Sequence, residues 1–207
     1  MSKINEQYFL EGYPRVFPNE TLTKGKADAM INLIRMANES EYVQRLSHYA
    51  FHLGNSKHES NNTYLPVPEG YWIKPEDRRI RVIRAYYTTG KGKKHNKTIC
   101  YKDKTFYGRG AICQTTHDYN YLKASQKIFG DDRLFQNPDL VLQPDIDSLI
   151  AFRGAAEGWF VPGQRLDRWL NDNGMDFYNS RRIINGTDHA TDISIYCAKF
   201  FKILIFE

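Results

Sequence analysis

Carboxylates gather where the sequence turns irregular: Glu59 within His58-Glu59-Ser60, Glu69 within Pro66-Val67-Pro68-Glu69-Gly70, then Glu76 and Asp77. Two carboxyls facing each other across a sugar-binding cleft are what hydrolysis of a glycosidic bond requires. One, protonated, releases the leaving oxygen; the other activates water or attacks the sugar. A carboxyl at the end of a core helix is readily half-desolvated, and desolvation favours the protonated form. A second carboxyl on a proline-stiffened loop can be held opposite. Glutamates at this spacing also occur as ordinary surface residues, so the spacing alone leaves both readings open.

Two other groups of residues compete for chemistry. His48 and His52 stand at i and i+4 with His58 shortly after, a spacing that can present two imidazoles to one metal ion. The metalloprotease pattern needs Glu directly after the first His, and Tyr49 stands there. The expectation is therefore ordinary helix histidines, with no metal and no cofactor. Cys100, Cys113 and Cys197 fit neither a complete disulfide framework nor a common zinc spacing and read as reduced thiols. The last group is cationic. Arg78, Arg79, Arg81, Arg84, Lys91, Lys93, Lys94 and Lys97 fall in one stretch without an acid, whereas acids outnumber bases in the rest of the chain. Such a stretch suits an anionic partner, whether nucleic acid, lipid headgroups or an acidic polymer, and equally a solvated surface loop. Tyr86 and Tyr87 inside it could stack on bases, but no nucleic-acid motif accompanies them, so no nucleic-acid partner is expected.

The elements that must position these residues are mostly helices. The chain has 207 residues, 41% of them hydrophobic and 14% aromatic, enough for a buried core and too much for a disordered tail. Ala27, Met30, Ile31, Leu33, Ile34 and Ala37 predict a helix over 24–38. Val43, Leu46, Ala50 and Leu53 continue at helical spacing toward Gly54, which puts His58 and Glu59 at or just past the end of a core helix. Prolines, glycines and tyrosines over 61–117 predict loops, turns and a short hairpin, with Ile80–Tyr87 readable as strand or short helix. Helices resume at Asp118–Phe129 before Gly130, from Pro144 to Gly158, over Leu166–Leu170 and over Phe177–Ile184; a last one, capped by Thr187 or Asp188, runs through Leu204. With no linker dividing the chain, the expectation is one domain over 1–207, mainly α, with two helical lobes and a loop-rich central region. The opening residues lack the apolar core of a signal peptide, and the apolar stretch Ile203–Phe206 is too short to cross a bilayer.

Several stretches together resemble one family. His58-Glu59-Ser60 resembles the His-Glu-Thr/Ser start of the active site in the chitinase-like glycoside hydrolases of family 19, and Tyr107-Gly108-Arg109-Gly110 matches the Tyr-Gly-Arg-Gly of their phage endolysin branch. The run Ala111-Ile112-Cys113-Gln114-Thr115-Thr116 with Asp118-Tyr119-Asn120-Tyr121 is similar to the family's Gly-Arg-Gly-x-x-Gln-Leu-Thr…Asn-Tyr. Asn137-Pro138-Asp139-Leu140, Gly158-Trp159-Phe160 and Arg181-Arg182-Ile183-Ile184-Asn185-Gly186-Thr187-Asp188 follow in family order.

The resemblance implies a lysozyme-like helical fold with a cleft between lobes and an inverting cut of β-1,4 bonds in bacterial peptidoglycan, with chitin as the alternative substrate. It implies Glu59 as general acid, Glu69 as base and Thr115 as holder of the attacking water, with Glu76 or Asp77 as alternative bases. Gln114, Asn120 and Asn185 match substrate-binding residues, Arg182 is a neighbour of the catalytic carboxylates, and Arg109 binds substrate or fastens its loop. One extra residue between Gly110 and Asn120 lets either Cys113 or Gln114 take the family glutamine's place. A monomer is expected, made in the cytoplasm without a signal peptide and reaching the wall through a holin, a secretion machine or lysis.

Overall fold

In a computed structural model the protein is mainly α-helical, and the structure describes residues 3–101 and 104–207. Met1 and Ser2, where the leader reading begins, lie outside them. In chain order the elements are α1 (Glu6–Val16), α2 (Lys24–Asn38), α3 (Leu46–Glu59), β1 (Val67–Pro68) and α4 (Glu76–Thr88). Then come α5 (Asn96–Ile99), β2 (Cys100–Tyr101), β3 (Lys104–Thr105), β4 (Arg109–Gly110), α6 (Asp118–Phe129) and α7 (Arg133–Gln136). The chain ends with α8 (Pro144–Glu157), α9 (Leu166–Trp169), β5 (Leu170–Asn171), β6 (Gly174–Met175), α10 (Phe177–Ser180), α11 (Arg182–Asn185) and α12 (Ala190–Phe201). The strands pair antiparallel as β1–β4, β2–β3 and β5–β6. Among the described residues no helix is long and apolar enough to cross a membrane.

The chain divides into two compact units. The first comprises Met1–Leu65, Ala111–Cys113 and Ser148–Glu207. Its axis is α3, buried from Ser47 to Lys57. A Cβ on Gly54 would collide with the Cys197 sulfur and come within 2.9 Å of the Cys197 backbone nitrogen, so α12 crosses α3 at backbone contact. Phe9, Tyr13, Phe17 and Phe200 form an aromatic cluster on one side, and Phe51, Ala155, Leu166, Leu170 and Ile183 a second core. Because α3 is buried almost all round, its polar side chains must find partners. His48 Nε2 lies 3.2 Å from Leu170 O, the Asn55 amide donates to Phe51 O, and Lys57 Nζ donates to Glu20 and Asn62. Among the described residues His52 and Ser56 are the exceptions: neither His52 ring nitrogen nor Ser56 Oγ has a partner, and the imidazole packs edge-on against Phe51 and Phe152.

The second unit comprises Pro66–Gly110 and Gln114–Asp147. Ile83, Tyr87, Ile99 and Tyr107 form one core cluster, and Phe106 meets Tyr121 edge-on and stacks with Phe135. Here 61–117 departs from the loop-rich expectation, because Ile80–Tyr87 belongs to a full helix, α4. Pro75 precedes its first turn, Glu76 and Asp77 sit where the helix dipole favours acids, and Arg79, Ile83 and Tyr87 recur at four-residue steps as its buried stripe. An arginine in that stripe breaks the apolar period the sequence would otherwise display. Of the expected short hairpin, the two strands β2 and β3 pair antiparallel; residues 102–103 between them lie outside the described residues.

Elsewhere α2, α6 and α8 have the expected bounds; Gly130, at φ 74°, caps α6 in the left-handed conformation. Two expectations are corrected near the C-terminus. Phe177–Ile184 is two single turns, α10 and α11, because Arg181 turns inward between them. The last helix is entered from His189, not Thr187 or Asp188, and stops at Phe201.

Candidate functional site

Glu59 is the last residue of α3. Ser60 fixes the chain beyond it: its hydroxyl donates to Ser56 O at 2.6 Å and accepts from Tyr64 N–H at 2.7 Å. Asn61, Asn62 and Tyr64 take left-handed backbone angles, so the chain reverses at once. A carboxylate at a helix C-terminus faces the negative end of the dipole and calls for a cation. Arg181 supplies it. Its Nη2 donates to Glu59 Oε1 at 2.7 Å, its Nη1 to Asn55 Oδ1 at 2.9 Å and its Nε to Asp188 O at 3.2 Å. Asn55 and Glu59 lie one helical turn apart, so one buried guanidinium spans both. Oε1 of Glu59 is thus anchored, while Oε2 makes no hydrogen bond among the described residues.

His58, half-buried, has its ring centroid 4.6 Å from that of His189. Burial pushes the His58 imidazole down; Glu59 opposes this, and Arg181 and His189 reinforce it. The neighbour of Glu59 is therefore Arg181, not Arg182. The Arg182 side chain is exposed and donates to Asn179 Oδ1 at 3.0 Å. Asn185, at the end of α11, is exposed as well.

Glu69 belongs to the second unit, directly after β1. Tyr87 Oη donates to its carboxylate, 3.1 and 3.2 Å from the two oxygens, and Gly108 N–H donates to Oε2 at 3.0 Å. Both partners are donors, and the carboxyl oxygens of Glu69 accept from them. Burial, and then Glu69 itself, push the Tyr87 phenol up, so it remains a donor. The backbone is tied too, Glu69 N–H donating to Gly108 O at 2.7 Å.

Each residue of Tyr107-Gly108-Arg109-Gly110 has a physical task. The Arg79 and Arg109 guanidiniums lie 5.1 and 3.9 Å from the Tyr107 ring centroid. A Cβ on Gly108 would lie 2.7 Å from Gln114 Oε1. Gly110 has φ 140°, outside the range of most side-chain-bearing residues. Arg109 is 3% exposed and donates to Asp139, Thr105 O, Tyr107 O and Tyr121 Oη. It fastens the loop rather than binding substrate.

Gln114 and Asn120 also work inward. Gln114 Nε2 donates to Gly110 O at 2.7 Å and Val67 O at 3.4 Å, bracing the β1–β4 pair. Asn120 Nδ2 donates to Thr116 O. Cys113, the other occupant considered for the family glutamine position, is buried. Thr115 exchanges backbone hydrogen bonds with Arg109, and its buried Oγ1 has no partner among the described residues. A buried hydroxyl left so costs about 1–3 kcal/mol, which is compensated where the hydroxyl holds a water molecule.

The alternative bases differ in kind. Glu76 pairs with Arg79 and Asp77 with Arg81, and both carboxylates are exposed on the first turn of α4. Among the described residues no group of three or more His, Cys, Asp or Glu could hold a metal ion. Burial, with His48 adding to it, holds the His52 imidazole down to about 3.

Residues missed in the sequence are Arg181, Asn55 and Tyr87. The four-residue step from Asn55 to Glu59 and the four-residue step from Ile83 to Tyr87 were the signals present.

The family model described as chitinase class I, that of glycoside hydrolase family 19, matches residues 36–167, more than half of the chain. No curated protein and no solved structure matches it.

Proposed function

The chain belongs to glycoside hydrolase family 19, the chitinase class I family, and we propose that it cuts the β-1,4 bonds between N-acetylmuramic acid and N-acetylglucosamine in bacterial peptidoglycan. Membership makes it a glycoside hydrolase for chitin- or peptidoglycan-like polysaccharide, with the family's lysozyme-like helical fold. The observation that carries the finer reading is the anchoring of Glu69 to the Tyr107-Gly108-Arg109-Gly110 loop. That loop is where the chain resembles the endolysin branch. The second carboxyl of that branch stands ten residues after the first, as Glu69 does after Glu59.

In this reading Glu59 carries the proton on Oε2 and gives it to the glycosidic oxygen as the bond breaks, while Arg181 holds Oε1 still. Glu69, oriented by Tyr87 and Gly108, takes a proton from a water on the opposite face of the sugar. Thr115 Oγ1 is the second partner of that water. Attack from the opposite face inverts the anomeric centre; inverting glycosidases in general hold their two carboxyls about 6.5–9.5 Å apart to leave room for the water. Acid and base suffice for this, so the mechanism calls on neither metal nor organic cofactor. Asn120, Gln114, Arg182 and Asn185 remain substrate-binding residues only by the resemblance. The protein acts as a monomer, reaching the wall through a holin, a secretion machine or lysis.

The family description favours a second reading, a chitinase on the same fold, whose substrate lacks the lactyl group. Mass spectrometry of products from purified peptidoglycan and from chitin oligomers separates them. New N-acetylmuramic reducing ends support the muramidase; cleavage of chitin oligomers with intact peptidoglycan overturns it in favour of the chitinase.

A further inference from the structure

The second unit carries a surface outside the residues assigned above to the glycosidase reaction. The inner stripe of α4 is Arg79, Ile83 and Tyr87. Arg78, Val82 and Tyr86 repeat the same four-residue step one position earlier, and all three are exposed, Val82 by 45% and Tyr86 by 46%. Arg81 and Arg84 occupy the remaining outer face. After α4 the chain folds back on the tyrosine end of this row. Gly92 N–H donates to Tyr86 O at 3.2 Å, and a Cβ on Gly92 would stand 2.5 Å from the Tyr86 ring and 2.7 Å from that of Tyr87. Lys91, Lys93 and Lys94, all exposed, are thereby kept beside Tyr86.

The charges of this stretch are not equivalent. Arg79 is buried and committed to Glu76 and to Glu69 O, and Arg81 pairs with Asp77. Arg78, Arg84, Lys91, Lys93, Lys94 and Lys97 are exposed and have no ion pair among the described residues. The surface is thus a short apolar row, Val82 and Tyr86, with unpaired cations at both ends and along one side. A dissolved polyanion would engage the cations and leave Val82 in water. An anionic lipid surface engages both, cations at the phosphates and the valine and tyrosine at the acyl boundary.

We propose that the outer face of α4, with the Lys91–Lys97 segment folded against it, docks the protein onto an anionic phospholipid bilayer. The docking is independent of which polysaccharide is cut. It places the enzyme at a membrane by charge and shallow insertion, without a spanning helix.

The test is co-sedimentation of the purified protein with vesicles at low ionic strength, using phosphatidylglycerol mixed equally with phosphatidylcholine, and phosphatidylcholine alone. The mixed vesicles should bind it and the neutral ones should not. Each basic residue near an anionic leaflet multiplies partitioning about five-fold, so Lys91→Ser, Lys93→Ser and Lys94→Ser together should lower it about a hundred-fold. Val82→Ser with Tyr86→Ser, which changes no charge, should lower it several-fold. Both variants should keep the parent circular dichroism and the parent rate on short soluble glycans. Absence of binding to the anionic vesicles overturns the proposal. So does unchanged partitioning of the Val82→Ser, Tyr86→Ser variant with equally tight binding to soluble polyphosphate or duplex DNA, which would make the surface a polyanion site.

Discussion

Replacing Arg181 and Arg182 by alanine, one at a time, separates two adjacent arginines that the structure treats as opposites. Arg181 is 2% exposed and donates to Glu59, Asn55 and Asp188 O. Its loss leaves Glu59 Oε1 and a wholly buried Asn55 oxygen without their donor. A buried polar group left without its partner costs about 1–3 kcal/mol. Two are left here, and Glu59, 15% exposed, keeps some contact with water, so about 3 kcal/mol in all is expected. At roughly 2–4 °C per kcal/mol for a chain of this size, the melting midpoint should fall by about 6–12 °C. Turnover should fall about a hundred-fold or more, since a catalytic carboxyl displaced by about 1 Å loses that much. Arg182→Ala, at an exposed site, should stay within about 0.5 kcal/mol of the parent and keep most activity. Arg181→Lys keeps the charge without the planar fork, so it should recover stability in part and activity little. Thermal melts by circular dichroism and initial rates of peptidoglycan solubilisation measure both. Parent-like stability and activity in Arg181→Ala, or a greater loss in Arg182→Ala, would refute the reasoning.

Three further substitutions test other parts of the structure. His52 stays neutral in the folded chain down to about pH 3, whereas an unfolded imidazole takes up its proton near 6.5. The stability tied to its neutrality is complete above about pH 6.5 and is lost progressively as the pH falls from there toward 3. His52→Leu should therefore flatten the acid side of midpoint against pH, and an unchanged slope would show that His52 is not the group responsible. Glu69→Gln should lower kcat by about 10²–10⁴ with little change in KM, because water activation is needed only on the way to the transition state. Tyr87→Phe should do the same more weakly, by roughly the several-fold worth of one hydrogen bond. An active Glu69→Gln beside an inactive Glu76→Gln or Asp77→Asn would move the base to α4.

The helices that could be read from the sequence are those with both a clear face and a clear stop. Gly130 ends α6, and Pro144 and Gly158 bracket α8. Glu59 could be placed at a helix end because the apolar steps of α3 run out there. α4 stayed ambiguous because Arg79, an arginine spent on internal hydrogen bonds, occupies its buried stripe. The same limit explains the exchange of Arg181 for Arg182. Successive helical residues point about 100° apart, and only the packing of the turn against α3 decides which one faces in. Arg109 and Gln114 bear polar groups that suit a sugar equally well, and their inward bonds follow from a loop conformation that no local pattern encodes. His52 offered no signal, since a buried imidazole without a partner has the same sequence context as a satisfied one.

The account turns on Glu59 as the proton donor, and one rate tests it most directly. Glu59→Gln retains an oxygen for Arg181 to hold but cannot protonate a leaving group. Its rate of bond cleavage on purified peptidoglycan, with circular dichroism like that of the parent, should fall by about 10²–10⁴. A folded Glu59→Gln protein that still cleaves at more than a few per cent of the parent rate would contradict the assignment.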